Sequence, residues 1–60
     1  MSREELVKIL SEMDIPEMRR DLSRASNLKW LLRNIRVRNG KHPMIREVFD
    51  RLKIMLRTLE

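Results

Sequence analysis

Residues 23–40 read SRASNLKWLLRNIRVRNG, and this stretch decides the fold. Ser23 is a favourable N-cap, Ala25 to Val37 contains neither Gly nor Pro, and Asn39-Gly40 is a stop signal because glycine tolerates a left-handed cap. The pattern predicts one helix over residues 24–38. At about 100° per residue, Ala25, Leu28, Leu31, Leu32 and Ile35 fall within a stripe about 120° wide, which is the core-facing side. Lys29, Arg33 and Arg36 occupy one flank of it, and Asn27, Asn34 and Arg38 the other. Trp30 and Val37, seven residues apart, lie roughly 180° from the middle of the stripe, on the expected solvent side. Two readings of that second apolar ridge compete. In one, a further helix of this chain or of a second copy covers it. In the other, Trp30 is an exposed anchor beside Lys29 and Arg33, able to stack on bases or enter a partner's pocket.

Beyond Gly40, Lys41-His42-Pro43 reads as a tight connection, with Pro43 suited to a helix's first turn. A last helix is expected over residues 43–58, with Ile45, Val48, Phe49, Leu52, Met55, Leu56 and Leu59 on one side. Its seam spans barely two heptads, which favours an antiparallel pair with the central helix over an independent coiled coil. Ile54 lies off the seam and Met44 at its margin, leaving apolar surface for a partner. Before Ser23, the segment Ser2-Arg3-Glu4-Glu5 is a capping box, and a first helix should follow over residues 3–13 with Leu6, Val7, Ile9, Leu10 and Met13 as its stripe. Pro16 restarts the chain, and Ile15, Met18 and Leu22 repeat at helical spacing, which predicts one short helical turn as a corner piece. The expected fold is therefore all-α: one domain over residues 1–60, a small bundle of three main helices plus one short turn, the last two helices forming a hairpin.

Sixty residues bury little surface, and with no cysteine no disulfide or thiolate metal site can staple them. Oligomerisation is the remaining common remedy, so a homodimer is expected. The net charge is +5 and unevenly spread. Residues 1–22 carry four bases against six acids, or −2, whereas residues 23–60 carry ten bases against three acids, or +7. From Ser23 to Arg46 there are seven bases and no acid, which favours a nucleic acid or an acidic protein surface as partner, or is simply a solvated face. No apolar run approaches the ~20 residues that span a bilayer, and the start MSREELVKIL lacks a signal peptide's apolar core. Cytoplasmic residence is the expectation.

Catalysis finds little support. The chain has no Cys or Tyr, no Gly-rich phosphate loop, and a single histidine, His42, in a turn where capping or solvent explains it. One histidine cannot supply the usual metal cluster, and the Glu4/Glu5 pair suits a helix start. No enzyme activity, cofactor, metal or small-molecule substrate is expected. A standard helix-turn-helix reader also fits poorly: with the turn glycine placed at Gly40, Arg36 stands where a small residue belongs, and Asn39 and Lys41 stand where apolar neighbours belong.

At RRDLSRASNLKWLLRNIRVRNGKHP, residues 19–43, the chain resembles small uncharacterised proteins encoded by tailed bacteriophages, which show a similar RDL-S, N-L-x-W-L-L-R-N and N-x-x-H-P pattern. The resemblance implies no known activity. It fits an early protein that binds a host or viral target in the host cytoplasm, or a small virion component. By it, Trp30, Arg33, Asn34, His42 and Pro43 would be signature positions, although Asn34 and His42 read more simply as residues that fix the helix hairpin. The leading expectation is a basic, non-enzymatic binding protein whose central helix engages nucleic acid or another polyanion through Lys29, Trp30, Arg33, Arg36, Val37, Arg38 and Lys41. The alternative is a protein-binding regulator or assembly subunit that uses the Trp30/Val37 ridge.

Overall fold

The computed structural model describes residues 1–16 and 19–60. Three helices follow in chain order: α1 (Arg3–Glu12), α2 (Ala25–Asn39) and α3 (Ile45–Leu59). The radius of gyration, 10.3 Å, matches the ~10 Å of a well-packed chain of this length. α2 and α3 form the expected hairpin, and α1 rests on α3. The helix that both others share is thus α3, the most strongly amphipathic of the three, and not the central helix in sequence.

Each helix is built as its apolar period dictates. Leu6 and Leu10 of α1, Leu28, Leu31 and Ile35 of α2, and Val48 and Leu52 of α3 are fully buried and meet in one core with Met13 and Leu22. Ile9, Leu32, Ile45, Phe49, Met55 and Leu56 pack half-buried around them, whereas Val7 and Leu59 at the edges are exposed. Met44 also packs on the core, so of the two apolar residues expected at the surface of the last helix only Ile54 is exposed.

The helix ends agree with the sequence in part. Ser2 caps α1 as its pattern demands, its Oγ accepting from the Glu5 N–H at 3.1 Å. α2 is capped by Arg24 without a side-chain bond, and Ser23 does not cap it. The helix begins one residue later than expected, which leaves Ser23 ahead of the cap, where its hydroxyl donates to Asp21 Oδ1 at 2.6 Å. Asp21 also accepts the Ser23 N–H, and its carbonyl accepts from Asn27 Nδ2 at 3.1 Å, so a loop acid organises the start of α2. Gly40 sits at φ −58°, ψ −21°, a right-handed conformation open to any residue, so the left-handed cap expected there is not used. α3 starts at Ile45 and not at Pro43, with His42 Nδ1 accepting the Met44 N–H at 3.1 Å in the turn before it. The short helical turn expected before α2 falls in part on Glu17 and Met18, which lie outside the described residues. Among the described residues of that stretch the chain is irregular, with a turn at Leu22-Ser23.

The irregular connection is tied down by Asn39. Its Oδ1 accepts the Asp14 N–H at 2.9 Å and its Nδ2 donates to the Asp14 carbonyl at 3.0 Å, a two-point clasp across 25 residues. The end of α2 thereby holds the chain just after α1 in place.

Candidate functional site

The outer surface of α2 divides along its two flanks. The flank bearing Lys29, Arg33 and Arg36 borders α3. At one end Lys29 Nζ meets Glu60 Oε1 at 3.0 Å. Further along, the Arg36 guanidinium stands 5.8 Å from the centre of the Phe49 ring, and Lys53 Nζ stands 5.0 Å from that same ring. Lys53 follows Phe49 by one helical turn, which is why both face this side of α3. The quadrupole of Phe49 thus attracts both cations to one ring, Arg36 from α2 and Lys53 from α3. They open onto a groove of about 360 Å³ whose lining includes Arg36, Gly40, Ile45, Arg46, Phe49 and Lys53, with Asp50 as its single acid.

The opposite flank is engaged with the connecting segment. Arg38 Nη1 lies 3.5 Å from Asp14 Oδ2, beside the Asn39 clasp. Trp30 is half-buried against the core, and the Arg19 guanidinium lies 5.2 Å from the centre of its ring. The solvent-side placement expected for Trp30 is therefore corrected toward the first of the two readings, cover from this chain: the indole packs on the core, and Arg19 of the irregular stretch ahead of α2, not a further helix, lies over it. Val37 stays 85% exposed, so Trp30 and Val37 do not form one continuous ridge. Asn34 does not tie the hairpin either, since its Nδ2 donates to the Trp30 carbonyl one turn back in the same helix.

The seven residues singled out from the sequence thus fall into separate settings. Lys29, Arg33 and Arg36 flank α3, Trp30 and Arg38 face the connection, Val37 projects between, and Lys41 is exposed in the turn. Among the described residues, carboxylates pair with Arg24, Lys29 and Arg38 of the basic run, while Arg33, Arg36, Lys41 and Arg46 have none within ion-pair distance. Sequence reasoning counted Arg46 in the basic run and overlooked Phe49 and Lys53. The available signal was the Phe49/Lys53 spacing on the flank of α3 that a hairpin must turn toward α2.

Among the described residues, Asp21 is the group held clearly away from its ordinary protonation. The Ser23 hydroxyl, then the Ser23 N–H, and the nearby Arg24 and Arg3 keep its carboxyl below the usual aspartate range. This shift belongs to loop architecture and not to the groove. Among the described residues no three His, Cys, Asp or Glu side chains come together as a metal-binding group, and no helix is long and apolar enough to cross a membrane. No protein-family model matches the chain, and neither a curated protein nor a solved structure matches it.

Proposed function

We propose that this chain is a small, non-enzymatic binding protein that engages nucleic acid, or another polyanion, through α2 and the adjoining flank of α3. The observation that supports the reading best is the set of cations that meet no carboxylate among the described residues: Arg33, Arg36 and Arg46, with Lys41 exposed in the turn and Lys53 over Phe49. Among the described residues, Asp50 is the acid that lines the groove, and Glu60 pairs with Lys29 at the far end of the flank. Binding through phosphates releases counterions, so affinity should fall steeply with salt. The test is a salt titration of binding to labelled nucleic acid by the wild type and by Arg33→Glu and Arg46→Glu. Each variant should weaken binding and reduce the salt slope by about one phosphate equivalent. Affinity that ignores both salt and charge reversal would refute the proposal.

A second reading, a protein-binding regulator or assembly subunit, draws support from the exposure of Val37 at 85% and Ile54 at 54%. It fits the phage resemblance, with residence in the host cytoplasm, and a homodimer would cover such apolar surface. Trp30, half-buried beneath Arg19, contributes little to it. Binding through these side chains would survive raised salt, which separates the two readings.

A further inference from the structure

We infer that the polyanion is a double-stranded nucleic acid gripped through its phosphates, with no base stacked on either aromatic ring. The inference rests on the polyanion reading above and names its substrate. Proteins that hold single strands without sequence preference do so largely by stacking successive bases on exposed aromatic faces in a basic groove. This chain has two aromatic residues, Trp30 and Phe49. Both are half-buried against the core. Trp30 carries the Arg19 guanidinium over its ring at 5.2 Å, and Phe49 carries Arg36 at 5.8 Å and Lys53 at 5.0 Å. A base stacked on the face that a cation covers would have to displace it, giving up one favourable contact to make another.

The rings instead position charge. Phe49 keeps Arg36 and Lys53 at the mouth of the groove that Arg46 also lines, which concentrates three cations around one side of the α2–α3 hairpin. Such a site reads charge density and backbone shape. A duplex meets that demand better than a single strand, because it carries one phosphate charge per ~1.7 Å of its axis and keeps its bases stacked on each other. Asp50 opposes phosphate in the same groove. It is therefore the position where a substitution should strengthen binding.

The test compares one labelled 20-base-pair DNA duplex with either of its strands, by fluorescence anisotropy at low salt, while Trp30 emission is followed. The duplex should bind about tenfold more tightly, in keeping with its higher charge density, and Trp30 emission should stay unchanged at saturation. Phe49→Leu should weaken duplex binding with the helical circular dichroism preserved. Asp50→Asn should tighten it several-fold, a gain that misfolding cannot mimic. A strand that binds as tightly as the duplex and quenches Trp30 would overturn the inference while leaving the polyanion reading standing. Failure of both DNAs to bind the folded protein would remove that reading, and this inference with it.

Discussion

Replacing Asn39 by alanine probes the hydrogen-bonded clasp that fastens the connection after α1 to the hairpin. The side chain is nearly buried, at 9% relative exposure, and makes both of its bonds to the backbone of Asp14, at 2.9 and 3.0 Å. Each such bond contributes about 0.5–1.5 kcal/mol net, so losing the pair should cost about 1–3 kcal/mol. A domain of this size has roughly 3–9 kcal/mol in total at ~0.05–0.15 kcal/mol per residue, so the loss is a large fraction of its stability. Asn39→Asp should be worse, because it sets a carboxylate oxygen against the Asp14 carbonyl where an N–H now donates. Arg38→Ala serves as the control. Its pair with Asp14 is long, at 3.5 Å, and half or more exposed on both sides, which limits its value to about 1 kcal/mol or less. The assay is urea unfolding followed by circular dichroism, with the slope m recorded as well as the midpoint. If α1 comes away before the hairpin melts, m should fall in Asn39→Ala and stay unchanged in Arg38→Ala. A loss below ~0.5 kcal/mol for Asn39→Ala, or one no larger than that of Arg38→Ala, would refute the assignment of the clasp.

Three further outcomes are expected. Leu52→Ala empties a fully buried position at the centre of α3 and should cost about 2–5 kcal/mol, read as a collapse of the thermal transition. Arg51→Met should stabilise by about 1 kcal/mol, since Arg51 Nε is buried without an acceptor among the described residues and methionine retains the apolar stem; destabilisation in urea would count against this account. Asp21 has a depressed folded pKa, so its charge contributes stability that is present above the ordinary aspartate value of ~3.9 and is lost as pH falls through the lower folded value. Unfolding midpoints measured across that window should decline with acid in the wild type, and Asp21→Asn should remove part of the decline.

What the residues announced was their periodicity. Leu28, Leu31 and Ile35 recur every three or four positions, as do Val48, Leu52 and Met55, and a stripe of that kind has to face a core whatever else surrounds it. Local capping was legible at Ser2, which caps α1, and not at Ser23, because α2 starts one residue later and takes Arg24 as its cap. The Asn39 clasp was hidden for another reason. Its partner is a backbone amide 25 residues distant, and any residue at position 14 would offer the same groups, so its side-chain chemistry carries no mark. Trp30 was misplaced because helical geometry fixes a direction on α2 but not what the irregular chain lays across it. The groove was missed because it belongs to neither helix alone: Arg36 comes from α2, and Arg46, Phe49 and Lys53 from α3.

These placements separate the cations that bear on folding from those that can bear on binding. Arg38 lies beside the Asn39 clasp, Arg24 meets the acid that organises the start of α2, and Arg19 lies over a half-buried indole, all on segments whose positions the fold needs. Arg33, Lys41 and Arg46 are exposed, and none of them pairs with a carboxylate among the described residues. Reversing them should therefore leave the unfolding midpoint nearly unchanged, since exposed charges contribute little to stability. The one exposed pair on the hairpin side, Lys29 with Glu60, has more than half of each side chain exposed and is weak enough for a phosphate to compete for the lysine. The charge reversals that test the proposed binding are thus expected to leave the fold intact. A charge-reversal series on Arg33, Lys41 and Arg46 that unfolded the protein before it altered binding would show that this surface supports the bundle and not a partner.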